Sequence, residues 1–175
     1  MAFNNYMKNI KLLFLSLSLV FAFVFSASAQ DVTFTSLGGE KIDLASEKGK
    51  VVVLAIGASW LPLSKNQATA INKLTRKYNG RDVAFYFIAT DSTAQKSKNY
   101  ASNEQIQKFA ESNKLTISIL RDSEGALSIK QYKVDQLPAF IILDKEGRLA
   151  DGPFTGLDPN SDISIPLSAK IDKLL

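Results

Sequence analysis

The sequence contains no cysteine and no histidine among its 175 residues. Thiolate chemistry, disulfide exchange, thiolate zinc sites and histidine-based catalytic triads each require one of these two residue types. This polypeptide alone therefore supports none of those activities.

The chain also lacks a large excess of charge of one sign. Its 21 basic and 17 acidic residues give a formal net charge of +4, and the isolated lysines are typical of a solvated surface. Nucleic-acid binding calls for a basic patch or stripe on one face. We therefore expect no nucleic-acid partner.

The N-terminus has the three-part pattern of a secretory signal peptide. A polar segment ends in Lys8 and Lys11, an uncharged apolar segment runs from Leu12 to Phe25, and residues 26–29 supply an A-x-A cleavage pattern. The apolar segment has 14 residues, which is short for a membrane span. No cysteine follows it, which excludes a lipoprotein anchor.

Cleavage before Gln30 divides the chain into a signal peptide, residues 1–29, and one mature domain, residues 30–175. The mature chain keeps 146 of the 175 residues and loses two lysines, so its net charge falls to +2. We expect a periplasmic or secreted protein that meets the membrane only transiently, through its signal peptide. An uncleaved membrane anchor is the alternative.

The stretch from Val51 to Ser64 organises the predicted fold. Its first six residues, Val-Val-Val-Leu-Ala-Ile, predict a central strand covered on both faces. Gly57 and Ala58 have little or no side chain, so they leave the backbone accessible after the strand. Pro62 suits the first turn of a helix, because its missing N–H would be unpaired there. In open α/β sheets, ligands bind above such a strand end.

The remaining pattern predicts an α/β domain. Strand, helix and strand over residues 51–89 indicate a right-handed parallel crossover. Further predicted elements are a hairpin turning at Gly38 and Gly39, a helical face of Gln67, Ile71, Leu74 and Tyr78, a helix capped by Asn103, and a strand at 116–120. Residues 122–125 then introduce a brief helix through Leu127, Ile129 and Tyr132, and a hairpin turning at 144–147 and a closing helix starting at Pro166 complete the prediction.

The turn Ala58–Ser64, Ala-Ser-Trp-Leu-Pro-Leu-Ser, resembles a known active-site motif. It is similar to the A-T-W-C-P-P-C turn of periplasmic thioredoxin-like proteins of the TlpA/ResA type, within the AhpC/TSA redoxin superfamily. Trp60 and Pro62 match that turn. Leu61 stands where the attacking cysteine would be, and Ser64 where the resolving cysteine would be.

A second segment, residues 132–149, resembles the family's Y-x-V-x-x-x-P-x-x-F-L-I-D-x-x-G motif, with Pro138 and Asp144 among its anchors. The resemblance covers essentially the whole mature chain. It implies a thioredoxin fold, in which a central mixed sheet is flanked by helices and preceded by an N-terminal β-hairpin. It also implies that Pro138 is cis and faces the active-site turn.

The resemblance further implies that the redox chemistry is lost. Leu61 has no ionisable atom, Ser64 cannot form a disulfide, and Ala55 replaces the polar residue that such proteins hold beneath their cysteines. Ser64 as a nucleophile would need a neighbouring base, for which the chain offers only a lysine such as Lys65. We therefore expect a solvated or capping hydroxyl at Ser64.

No cofactor and no metal ion are expected. Residues 158–162 begin like a calcium loop, but Ile163 and Ala169 occupy its sixth and twelfth positions, where calcium binding needs glycine and a bidentate acid. An acidic turn that caps a helix is expected there. The aromatic residues Phe34, Phe85, Tyr86, Phe87, Phe109 and Phe140 are expected in the core.

A binding surface remains, because exposed apolar clusters mark partner sites. In the family, the backbone before the cis-proline pairs with an extended substrate segment, which needs no cysteine. The hypothesis is an exported, redox-inactive module that binds a peptide or protein partner at the former active-site groove. The expected groove residues are Trp60, Leu61, Pro62, Leu63, Leu137 and Pro138.

Two other functions stay open. One is an accessory of a thiol-disulfide oxidoreductase or antioxidant system that acts through a partner's cysteines. The other is a purely structural domain, in which Leu61 and Leu63 are buried and insensitive to any ligand.

Overall fold

The computed structural model describes residues 32–175, so the predicted signal peptide, residues 1–29, lies outside the described residues. Seven strands and four helices follow one another in the described part of the chain. They are β1 Thr33–Ser36, β2 Lys41–Asp43, β3 Val51–Gly57, α1 Ser64–Lys77, β4 Val83–Ala89, α2 Asn103–Ser112, β5 Ser118–Arg121, α3 Ser128–Tyr132, β6 Ala139–Leu143, β7 Leu149–Phe154 and α4 Ser164–Leu174.

All seven strands belong to one mixed sheet in the order β2-β1-β5-β4-β3-β6-β7. β3, β4 and β5 run parallel, whereas β6 is antiparallel to both β3 and β7. The opening hairpin of β1 and β2 is antiparallel and joins the sheet beside β5. The predicted thioredoxin fold, with its mixed sheet and N-terminal hairpin, is confirmed.

β3 is central because each of its faces meets apolar partners. All seven of its residues are buried. Alternate residues beginning with Val51 pack against α1, α2 and α4. Those beginning with Val52 pack toward Phe34 of β1 and Tyr132 at the end of α3. A strand covered on both faces needs a continuous apolar run, which the sequence supplies.

α1 lies on the first of these faces. The predicted helical face of Gln67, Ile71, Leu74 and Tyr78 is buried. At the far end of the helix, the Tyr78 hydroxyl donates a hydrogen bond of 2.8 Å to Asp172 of α4. The two helices are thereby joined at the end of α1 that lies away from the predicted turn.

The predicted cap of α2 is wrong by one residue. Ser102, not Asn103, is the N-cap: its side chain accepts a hydrogen bond from the Gln105 N–H, and the Gln105 side chain accepts one from the Ser102 N–H. This reciprocal capping box satisfies two N–H groups that the helix itself leaves unpaired.

The predicted start of α4 at Pro166 is also wrong. The helix begins at Ser164, because Asp162 accepts hydrogen bonds from the Ser164 N–H at 3.1 Å and from its hydroxyl at 2.6 Å. The acidic turn is therefore bonded to the first residue of α4, and the helix begins two residues earlier than the proline suggested.

The strand next to β4 is also displaced from its predicted bounds. β5 spans Ser118–Arg121 instead of 116–120, since it pairs in register with the end of β4. The brief helix predicted after residues 122–125 is present as α3, Ser128–Tyr132, and the left-handed φ values of 58° at Glu124 and 67° at Gly125 keep the residues before it out of the helix. Within residues 32–175, none of the helices combines the length and apolar character needed to cross a membrane.

Candidate functional site

The predicted active-site turn connects β3 to α1 at the carboxyl end of the parallel strands. The Leu61 N–H donates to the Ala58 carbonyl at 3.1 Å, and the Ser64 N–H donates to the Leu61 carbonyl at 3.0 Å. These bonds complete two tight turns before α1 begins at Ser64. Pro62 therefore lies ahead of the helix, and its predicted place in the first helical turn is wrong.

The middle of this turn presents apolar side chains to solvent. Trp60 is 50% exposed, Pro62 is exposed, and Leu61 and Leu63 are half-buried. Single exposed leucines are common on protein surfaces, whereas tryptophans are usually well buried. A half-exposed tryptophan beside other apolar residues therefore indicates a candidate binding surface.

Ser64 differs from its prediction. Its side chain is fully buried, and its hydroxyl oxygen has no hydrogen-bond partner among the described residues. The reason is its place on the inner side of the first turn of α1, where a Cβ atom added to Gly57 would lie 3.0 Å from the Ser64 hydroxyl. Neither a solvated nor a capping hydroxyl is observed.

A buried carboxylate anchors the start of the turn. Asp91 is fully buried, and both of its oxygens accept from the Ser59 N–H at 3.0 Å, while the Ser59 hydroxyl donates to Oδ1 at 2.6 Å. No role for Asp91 is predicted from the sequence. The missed signal is its position two residues after the buried strand β4, at the same sheet edge as the turn.

Arg121 at the end of β5 lies in the electrostatic field of Asp91. Burial lowers the pKa of its guanidinium, and the nearby Asp91 and Tyr100 act in the opposite direction. Its Nη2 donates to the Ala101 carbonyl at 3.2 Å. The electrostatic attraction of Asp91 therefore offsets part of the effect of burial on this guanidinium.

A second buried side chain holds the other end of the turn. Gln67 is fully buried in α1, and its amide Nε2 donates to the Ile56 carbonyl at 3.2 Å and to the Ala139 carbonyl at 2.7 Å. The sequence analysis identified Gln67 only as part of a helical face. No local pattern indicates its two acceptors, which lie on different strands.

The predicted proline lies at the same edge of the sheet. The Leu137–Pro138 peptide bond is cis, Pro138 is buried and Leu137 is half-buried. Ile56 and Ala139 are paired across β3 and β6, so Pro138 and the turn leave the sheet at the same end of neighbouring strands. The structure therefore brings the two predicted motifs to one place, although 76 residues separate Pro62 from Pro138.

The two segments that form this site carry few reactive side chains. Ala55 is buried beneath the turn, and the segments 57–64 and 137–139 contain no ionisable side chain. Within residues 32–175, no three acidic side chains are grouped so that they could hold a metal ion. These two segments contribute backbone groups and apolar side chains to the site.

Comparisons with known proteins agree with this geometry. The AhpC/TSA family model matches residues 26–151. Over 123 residues the chain is 32% identical to the thioredoxin-like protein YneN of Bacillus subtilis (strain 168), covering 70% of this chain and 67% of YneN. It is 27% identical to the thiol-disulfide oxidoreductase ResA of Bacillus cereus, covering 70% of this chain and 65% of ResA.

The fold is shared with solved structures. One is a secreted disulfide oxidoreductase of Mycobacterium tuberculosis described as homologous to E. coli DsbE; it is 24% identical, with a TM-score of 0.62 over 85% of this chain and 100% of that chain. Because the family model matches residues 26–151 and a curated relative is 32% identical over 70% of this chain, the chain belongs to the AhpC/TSA family, as a thioredoxin-like redoxin of the TlpA/ResA type that lacks both active-site cysteines.

Proposed function

We propose that this protein is an exported, redox-inactive redoxin that binds an extended segment of a protein partner between the active-site turn and the Pro138 loop. The observation that carries the proposal is the half-exposed Trp60 on a turn whose start is held by buried Asp91. An apolar surface on an anchored backbone binds a partner without first being ordered, which lowers the entropy lost on binding.

The chemistry of the groove supports an uncharged, apolar partner segment. Neither of its two segments carries an ionisable side chain, and a charge placed there would lose its hydration without gaining an ion pair. Strand addition beside Leu137 needs only backbone groups. Redox inactivity is supported by the absence of cysteine and histidine.

Export is supported by the pattern of residues 1–29 and by the described secretion of one structural neighbour. We expect the protein purified from the producing cell to begin at Gln30, and its intact mass measures this. Replacing Ala27 and Ala29 by leucine removes the small residues that the cleavage pattern needs, and the full chain is then expected.

The first experiment is photo-crosslinking in the cell from a reactive residue placed at Leu61. Leu149 provides the matched control, because it is 49% exposed and pairs with Leu143 at the opposite end of the sheet. A discrete adduct from position 61 and none from position 149 is the expected result. Equal adducts from both positions, or none from either, would contradict the proposed groove and favour the structural role.

The partner found in this way is then tested against Leu61→Asp, with Leu149→Asp as the control. We expect Leu61→Asp to weaken binding by about tenfold or more, since desolvating an unpaired charge is costly. Undiminished binding would place the contact elsewhere on the molecule.

A second candidate rests on the relatives, one of which is named a thiol-disulfide oxidoreductase. In this alternative, the protein presents a partner's cysteines to an oxidoreductase. It predicts that the crosslinked partner contains a cysteine pair and that adding this chain accelerates the partner's oxidation or reduction. A cysteine-free partner would exclude it.

A further inference from the structure

We infer that Gln67 is a positioning residue that fixes the spacing between the two halves of the groove. The importance of that spacing for a partner rests on the proposed function. The hydrogen bonds are independent of that function: the Gln67 amide joins α1 to the Ile56 carbonyl of β3 at 3.2 Å and to the Ala139 carbonyl of β6 at 2.7 Å.

The two acceptors lie next to the two parts of the groove. Ile56 is two residues before Ala58, where the turn begins, and Ala139 directly follows Pro138. Ile56 and Ala139 also face each other as paired residues of β3 and β6. One amide therefore holds the strand that enters the turn, the strand that leaves the proline and the helix that follows the turn.

The position requires an uncharged amide. Both neighbours of Nε2 are carbonyl oxygens, which only accept hydrogen bonds, and a primary amide supplies two N–H donors from one nitrogen. An ionised glutamate has no donor and would place negative charge against both carbonyls. Because Gln67 is fully buried, water cannot relieve that repulsion.

Gly57 of β3 lies close against the Gln67 side chain. A Cβ atom added to Gly57 would stand 2.4 Å from Gln67 Oε1, so a glycine in β3 makes room for the amide. Considering residues 32–175, Oε1 has no hydrogen-bond partner, nor does the neighbouring Ser64 hydroxyl oxygen. A buried oxygen without a hydrogen-bond partner destabilises the fold. The two hydrogen bonds donated by Gln67 Nε2 offset this cost.

Gln67→Glu tests the inference, with Trp60 as the reporter because it is the single tryptophan of the chain. Burial raises the pKa of a carboxyl group. At low pH the protonated side chain still donates one hydrogen bond, and we expect the wild-type Trp60 emission. As the pH rises through the raised pKa, the carboxylate repels both carbonyls, so the emission should shift to longer wavelength while far-UV circular dichroism stays unchanged.

Gln107→Glu on the exposed side of α2 is the matched control, and it should show no such pH dependence. In the proposed groove, the yield of adduct from position 61 should fall about tenfold over the same pH range, as expected when a buried hydrogen bond is replaced by repulsion. A pH-independent Trp60 signal, or loss of the whole fold in parallel with it, would overturn the inference.

If Gln67→Glu does not fold, Gln67→Met replaces it, since methionine fills a similar volume without donors. We then expect greater quenching of Trp60 by acrylamide in a folded protein, and wild-type quenching would overturn the inference. The Trp60 readout needs no partner. A Trp60 response in the variants without any adduct in the wild type would therefore reject the proposed function and retain the role of Gln67.

Discussion

Ser59 is held to the sheet by a single side chain that is distant in sequence. Its N–H and hydroxyl both donate to Asp91, 32 residues away. Asp91 is fully buried, so its oxygens can be satisfied only by such donors. At the scale of single residues, the turn is therefore shaped by polar contacts beneath it rather than by its own apolar side chains.

Asp91→Asn tests this anchor. An amide keeps one acceptor oxygen but turns an NH2 group toward the Ser59 N–H, which leaves a donor unsatisfied. We expect a loss of about 1–3 kcal/mol in the free energy of unfolding, measured with urea, together with a Trp60 emission shifted toward that of an exposed indole.

Asp135→Asn is the control for this substitution, because Asp135 is exposed in the loop before Leu137. It should change stability by less than about 0.5 kcal/mol. If Asp91→Asn proved as mild as this control, the carboxylate would not be holding the turn.

At the scale of elements, α1 and α4 are tied together on one face of the sheet. Lys73 of α1 donates to Asp162 at 2.7 Å, and Asp162 also accepts from Ser164 at the start of α4. The hydrogen bonds from Lys73 and Ser164 lower the pKa of Asp162 to about 2. The same carboxylate thus accepts from the first residue of α4 and pairs with a lysine of α1.

This lowered pKa gives a pH dependence with a definite sign. Asp162 contributes stability above its unfolded pKa, near 3.8, and loses that contribution as the pH falls toward about 2. A carboxyl-detected NMR titration should therefore give a midpoint near 2. Lys73→Ala should raise the midpoint toward 3.8, the ordinary value.

Lys170→Ala is the control, because Lys170 pairs with Asp151 instead. It should leave the Asp162 titration unchanged. A wild-type midpoint near 3.8, or equal shifts in both lysine variants, would show that the Lys73 pair does not hold α1 against α4 in solution.

At the scale of the whole molecule, the frame of a thioredoxin-like redoxin is present in a chain without cysteines. The sheet order, the turn and the cis Leu137–Pro138 bond make up that frame. Leu61 is half-buried whereas Ser64 is fully buried, so side chains at these two positions differ in their access to solvent.

The double substitution Leu61→Cys with Ser64→Cys tests how complete that frame is. The Ser64 N–H bonds to the Leu61 carbonyl at 3.0 Å, and the helix N-terminus lowers the pKa of a thiol placed there. We expect an intramolecular disulfide and catalytic reduction of insulin disulfides in the presence of dithiothreitol.

Leu61→Cys alone is the control and should form mixed disulfides without turnover, since it lacks a resolving thiol. A double variant that forms the disulfide but reduces no substrate would show that Ala55 or Gln67 has also removed something that the chemistry needs. A pair of thiols that never oxidises would contradict the turn geometry.

Much of the fold and part of the site follow from sequence alone. The apolar runs of β3, β4 and β6 predict buried strands, and the motifs around Pro62 and Pro138 predict the two halves of the site. The predicted N-terminal boundaries of α2 and α4 are wrong by one and two residues. Helix boundaries depend on hydrogen bonds made by individual side chains just before the helix, which the apolar periodicity does not record.

Composition and periodicity are local properties, so the absence of thiols and imidazoles and the presence of a central apolar strand can be read from the residues in order. The burial of Ser64, the bond between Asp91 and Ser59 and the reach of Gln67 to Ala139, 72 residues away, come from tertiary contacts instead. Those contacts depend on which strand ends lie side by side, and a buried polar group is satisfied by whichever partner the fold brings within reach.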